Sequence, residues 1–205
     1  MTVPTQKSSH KTKKTGTAGL LAAAESEGTK ARGLPPVHLW EPEFCGDIDM
    51  RIARDGTWLY MGTPIGRERL VRLFSTILRH DEDGKFYLVT PVEKVGIRVD
   101  DAPFLAVAMK VEGEGRDQVL SFTTSLGDET VAGKDHPMRF EVDEATGEPA
   151  PYVHVRARLE ALINRATFYT LVELGVEEEH KGERWFGVWS SGVFFPFMLA
   201  SRMTV

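Results

Sequence analysis

From Ile48 the chain alternates: Ile48, Met50 and Ile52 fall on one side, Asp47, Asp49 and Arg51 on the other. A period of two predicts a strand with one face buried. Asp55-Gly56 supplies a hairpin turn, because glycine accepts the positive φ such turns need, and residues 57–61 return as a second strand. Gly62-Thr63-Pro64 then predicts a strand stop and a helix start. Thr63 caps the first free amides and Pro64 takes the first helical position, where its missing N–H costs nothing. Leu70, Val71, Leu73, Phe74, Ile77 and Leu78 form the apolar stripe of that helix, with Arg67, Arg69, Arg72 and Arg79 off or beside it. Asp81-Glu82-Asp83-Gly84 ends the element, and strands resume over 86–89 and 92–99, broken at Thr90-Pro91.

Beyond Asp100-Asp101-Ala102-Pro103, residues 104–111 and 118–123 read as another hairpin, turned at Glu112-Gly113-Glu114-Gly115, and residues 126–137 read as loop. The opening pattern then returns. Met138, Phe140 and Val142 alternate with Arg139, Glu141 and Asp143, as Met50-Arg51-Ile52 did. A helix is expected from Arg156-Ala157-Arg158-Leu159, with Leu159, Leu162, Ile163, Ala166 and Tyr169 on one face and Gly175 capping its end, as Arg67-Glu68-Arg69-Leu70 opens the first. Residues 184–188 and 193–199 look like strands around Trp189-Ser190-Ser191-Gly192. The expected fold is α+β, with two tandem antiparallel-sheet-plus-helix domains from a duplicated core.

Length and composition fit that picture. The 205 residues suffice for two small domains, and 41% hydrophobic with 27% charged residues is ordinary for a globular chain. Residues 1–33 read as a disordered basic arm rich in Thr, Ser and Gly; Leu34-Pro35-Pro36-Val37 opens an N-terminal repeat domain, 34–100, and a C-terminal repeat domain spans 101–205. A net charge of -5 argues against non-specific nucleic-acid binding. No run approaches the roughly 18 apolar residues of a membrane span. Cys45 is the single cysteine, which excludes an internal disulfide and points to a cytoplasmic location.

Candidate chemistry gathers at Gly62-Thr63-Pro64-Ile65-Gly66-Arg67. Free amides at a helix start attract anions, Gly66 lets a phosphate approach the backbone, and Arg67 adds a planar charge partner; a capped helix start with a packing glycine is the plainer reading. The segment lacks the Lys-Ser/Thr ending of a phosphate-binding loop. Arg156 and Arg158 hold the matching places in the second copy, so two arginine-bearing helix starts facing each other would make a positive hollow. Arg51 and Lys94 supply further positive groups to it, and Trp58 an aromatic face. Asp47 and Asp49 share a strand face, where they either bind a cation or meet water and arginine. The histidines lack ligand spacing, and Ser190 and Ser191 lack a nucleophile elbow. No catalytic residue, metal ligand or cofactor is assigned.

Three runs carry a resemblance: Trp40-Glu41-Pro42-Glu43-Phe44-Cys45-Gly46-Asp47-Ile48-Asp49-Met50-Arg51-Ile52, Gly62-Thr63-Pro64-Ile65-Gly66-Arg67, and Tyr87-Leu88-Val89-Thr90-Pro91-Val92-Glu93-Lys94-Val95-Gly96-Ile97. From about residue 35 onward the chain resembles a bacterial family catalogued only as a domain of unknown function, number 1285 in its series. The resemblance implies a duplicated core with the C-terminal half loosely pleckstrin-homology-like, a ligand site between the halves for something nucleotide-like, and a part in signal transduction. The expectation is therefore non-enzymatic binding of a small anionic, nucleotide-like ligand at the seam by Arg51, Trp58, Thr63, Gly66, Arg67 and Lys94, with a signalling protein as partner. The alternatives are a hydrolase-type enzyme acting on a phosphate-containing substrate and a protein-interaction module.

Overall fold

The computed structural model of the chain describes residues 33–142 and 148–202, together with Gly19. The expected basic arm, apart from residues 19 and 33, lies outside the described residues. Two six-stranded sheets and one three-stranded sheet make up most of the molecule. The first sheet contains β1 (Phe44–Ile52), β2 (Trp58–Tyr60), β3 (Thr63–Pro64), β4 (Leu78–His80), β5 (Phe86–Val89) and β6 (Lys94–Val99), in the order β3-β2-β1-β6-β5-β4. The second contains β7 (Phe104–Glu112), β8 (Val119–Thr124), β9 (Glu129–Val131), β10 (Met138–Val142), β11 (Pro149–Arg156) and β12 (Leu159–Ile163), in the order β10-β11-β12-β7-β8-β9. Counted from its own first strand, each sheet has the same order. In each, the first strand runs parallel to the sixth, β1 with β6 and β7 with β12.

The sheets are therefore mixed, not purely antiparallel, and the repeat follows a different frame from the one read in the sequence. β1 corresponds to β7, not to the strand at Met138. The helices also differ in place. Helix α1 (Glu68–Thr76) lies between the third and fourth strands of its half, whereas helix α2 (Arg165–Glu173) follows the sixth strand. The helix expected from Arg156 is strand β12, whose Leu159, Ala161 and Ile163 alternate inward. The reason is tertiary: Ala161, Leu162 and Ile163 pair with Phe104, Leu105 and Ala106 of β7, and that pairing overrides the helix propensity of Leu, Glu and Ala.

The first helix also starts later than expected. Met61 and Gly62 both have positive φ, at 49° and 74°, and form a two-residue hairpin loop of the mirror-image kind that matches strand twist. Thr63 and Pro64 then pair with Tyr60 and Leu59 as strand β3, so Thr63 caps nothing. The residue before α1 is Arg67, with no side-chain cap. Pro64 sits on an edge strand, where its missing N–H breaks no ladder.

Val71, Phe74, Ile77 and Leu78 are buried, as the apolar stripe requires. Together with Met50, Ile52 and Trp58 they join Phe104, Leu120, Phe122 and Leu159 in a single core running through both halves. The third sheet comprises β13 (Val176–His180), β14 (Glu183–Ser190) and β15 (Val193–Leu199). Ser190 and Ser191 fasten it to the second sheet: both hydroxyls donate to the Ala132 carbonyl, at 2.7 and 2.9 Å, and Ser190 accepts from the Leu120 amide at 3.0 Å. These serines are structural sutures.

Candidate functional site

The side chains expected to converge lie in four separate places. Arg51 is on β1 opposite Arg98, and both are drawn to Asp100; Arg51 Nε donates to that carboxylate at 2.8 Å. Trp58 is 2% exposed and stacks on Phe74 with ring centroids 6.3 Å apart, so its face meets the core and no ligand. Lys94 reaches Asp81 and lies 3.8 Å over the Tyr87 ring. Thr63, Gly66 and Arg67 line a cleft of their own. Arg156 and Arg158 flank the tight turn between β11 and β12 instead of opening a helix, so the two expected helix starts do not meet.

Three hollows open along the seam: one of about 510 Å³ sets Arg54 beside Leu105, Glu148, Arg165 and Tyr169, and in the other two charge decides what they can hold. The larger, about 770 Å³, presents Asp100, Asp101 and Glu141 against Arg54, a balance that repels an anion. Tyr152 donates to Asp101 at 2.7 Å there, and burial together with that acceptor pushes its phenol above its ordinary value. The other, about 580 Å³, holds Arg79, Lys94 and Arg158 among Glu41, Asp81, Glu82 and Asp83. Every one of those cations is already engaged. Arg79 grips Asp81 at 2.6 Å, Lys94 shares the same carboxylate, and Arg158 pairs with Glu82 at 2.7 Å. Burial works against the charge of Asp81, but hydrogen bonds from Arg79 and Lys94 outweigh it and hold the carboxyl below its ordinary value. Close by, Tyr87 donates to Asp83 at 2.6 Å and its phenol is pushed up to about 12, chiefly by that bond.

A further hollow belongs to the N-terminal half alone. It is a cleft of about 300 Å³ at the start of α1, near the lower limit for a small-molecule pocket. Met50, Ile65, Leu70 and Phe74 make an apolar floor, and Tyr60, Thr63, Gly66 and Arg67 edge it. The first amides of α1 have no partner within the helix. Arg67 is exposed and makes no ion pair among the described residues, and the same holds for Arg69 and Arg72 on this helix. That is unusual here, since Arg51, Arg79, Arg116, Arg139, Arg156, Arg158 and Arg184 all face carboxylates. No carboxylate, histidine or cysteine lines this cleft.

Thr63, Gly66 and Arg67 do line one cleft, beside Met50, Tyr60, Leu70 and Phe74, which sequence reasoning did not name. The available signal was the helix stripe itself, since Leu70 and Phe74 lie one turn apart on its apolar face. Asp47 and Asp49 do not form a cation site with any third ligand: among the described residues no three His, Cys, Asp or Glu side chains are grouped as a metal requires.

With this geometry in view, comparison with known proteins places the chain. The family model described as domain of unknown function (DUF1285), N-terminal domain, matches residues 35–102. The model described as protein of unknown function (DUF1285), C-terminal domain, matches residues 103–197. The chain belongs to the DUF1285 family. Within that family it is similar to a crystallised DUF1285 protein from Silicibacter pomeroyi DSS-3, with 64% identity over 89% of this chain and 96% of that one and a TM-score of 0.80. A crystallised DUF1285 protein from Shewanella baltica OS155 is 28% identical, over 62% of this chain and 91% of that one, with a TM-score of 0.47. No match among the curated proteins was found. The junction between the two DUF1285 models falls where β6 gives way to β7. No helix among the described residues is long and apolar enough to cross a membrane.

Proposed function

We propose that this DUF1285 protein binds, without turning over, a small anionic ligand with a flat apolar body, nucleotide-like in character, and that it does so in a signal-transduction role. The ligand's body lies on Met50, Ile65, Leu70 and Phe74, and its anionic group meets Arg67 at the cleft's edge. The observation that carries this reading is Arg67: an arginine with no carboxylate partner among the described residues, at the mouth of an apolar cleft, in a protein that pairs most of its other described arginines. The seam hollows fit such an anion worse, because their cations are neutralised in place. Among the described residues no carboxylate, histidine or cysteine lines the cleft, which favours binding over catalysis. The six-stranded C-terminal sheet followed by helix α2 is compatible with a pleckstrin-homology-like half that docks a signalling protein.

Calorimetric titration with a panel of nucleoside mono-, di- and cyclic phosphates tests the reading. One or more should bind, and Arg67→Ala should weaken binding roughly 10- to 100-fold, the range for losing a hydrogen bond to a charged group. A panel that neither binds nor raises the melting temperature refutes it.

A further inference from the structure

Helix α1 carries the cleft at its amino end and is held by the other half of the molecule at its carboxyl end. Leu70 and Phe74 line the cleft, and Ser75, next to Phe74, presents its carbonyl to Arg156 Nη2 at 2.9 Å. The last carbonyls of a helix carry partial negative charge and favour a cation. Helix α1 has no basic residue of its own in its last turn, so the C-terminal half supplies one.

Arg156 is not a loose surface arginine. Its side chain is 19% exposed, its Nη1 pairs with Asp128, and its guanidinium lies 4.7 Å over the Phe104 ring. Asp128 is itself fixed in the turn between β8 and β9, where its amide donates to Thr124 Oγ1 at 3.0 Å and its carbonyl accepts from the Thr124 amide at 2.8 Å. On the other side of Ala157, Arg158 pairs with Glu82, and its carbonyl accepts from His80 Nδ1 at 3.2 Å. Two C-terminal turns thus close on the N-terminal half, with Arg156 joining them to the helix end.

We infer that α1 is the transmitting element: filling the cleft displaces the helix, and Arg156 passes that displacement to the β8–β9 and β11–β12 turns. This rests on the reading of the cleft as a binding site. A nine-residue helix is about 13 Å long and moves as a unit. Leu70 and Phe74 belong to it directly, so a ligand pressing on them pushes the residue beside Ser75. Coupling of this kind is reciprocal, and a partner that shifts Arg156 also shifts affinity at the cleft.

The test uses the full chain and does not need the ligand. Cys45 is a free, exposed thiol and is replaced by Ser; Thr63→Cys is then alkylated with N-phenylmaleimide, which seats an aromatic ring at the cleft. Amide hydrogen exchange is followed in residues 124–131 and 154–159. The adduct should change exchange there severalfold, and Arg156→Gln should abolish that change while leaving the one near the cleft. Arg156→Lys, which keeps the charge but not the two-sided grip, should behave like Arg156→Gln and serves if that variant does not fold. Unchanged exchange in the C-terminal turns of the alkylated protein overturns the coupling, as does a change that survives loss of Arg156. A nucleotide panel that fails while the adduct response holds refutes the ligand assignment alone.

Discussion

Replacing Asp81 by Asn tests why the seam is unsuited to anions. Asp81 takes Arg79 through two nitrogens, at 2.6 and 3.1 Å, and Lys94 on the same carboxylate. The three side chains are only 13–19% exposed, so solvent screens them weakly. Charge-assisted bonds contribute about 1.5–3 kcal/mol each, and breaking a buried pair from one side costs about 3–5 kcal/mol. Asn keeps one acceptor oxygen, which brings the expected loss to about 2–3 kcal/mol. For a chain of this size that lowers the melting temperature by roughly 4–12 °C.

The pH dependence has a definite sign. The folded carboxyl lies below its ordinary value, so its contribution is complete above the unfolded pKa, near 4, and fades as pH falls through the folded value. The gap between wild type and variant should therefore be full at neutral pH and close on acidification below about pH 4. In the variant, Arg79 and Lys94 face the hollow without the carboxylate they grip, so phosphate should restore stability: about 1.4 kcal/mol at ten times its Kd. Wild type should gain nothing. Thermal melts across pH, with and without phosphate, read all three effects. A loss below about 0.5 kcal/mol together with equal phosphate effects on both proteins would refute the reasoning, because the seam cations would then already be available to an anion.

Two further outcomes are expected. Gly175→Ala should cost about 1–3 kcal/mol by overpacking, since a Cβ there collides with the Phe186 ring, and Phe186→Leu should recover most of it; additive losses in urea melts would refute the contact. Trp58→Phe should change stability by less than about 1 kcal/mol, because the buried indole N–H has no partner among the described residues and its removal offsets the cavity left behind; a loss above about 3 kcal/mol would mean that the N–H is satisfied.

Local patterns were legible where local forces decide. The alternation of Ile48, Met50 and Ile52 and the Asp55-Gly56 turn are present as read; the stripe is buried at Val71, Phe74, Ile77 and Leu78, but the helix ends at Thr76 and Leu78 belongs to β4. Gly175 does follow the second helix, but its backbone is not left-handed; it is needed for the Phe186 ring, a contact no local pattern announces. Met61-Gly62 was misread because Thr-Pro after glycine also suits a helix start, and only the pairing of β3 with β2 separates the two. Residues 159–163 carried both signals, alternation and good helix formers, and the parallel partner β7 decided between them. The neutralised seam was not legible at all, since Arg79, Asp81 and Lys94 come from three positions that only the β4-β5-β6 order brings together.

The position of each helix within the repeated sheet order is what sets the two halves apart. A helix after the sixth strand, as α2 is, can pack without disturbing the connections inside its sheet. A helix between the third and fourth strands, as α1 is, must span from one edge of its sheet to the other, because β3 and β4 are the two edges. Its amino end is therefore tied to edge strand β3, where the short Thr63–Pro64 pairing leaves the cleft open, and its carboxyl end to edge strand β4, where Arg156 reaches it. Sequence similarity between the halves could not predict this, because the difference lies in where the helix is inserted. The same insertion puts α1 in contact with both the cleft and the opposite half.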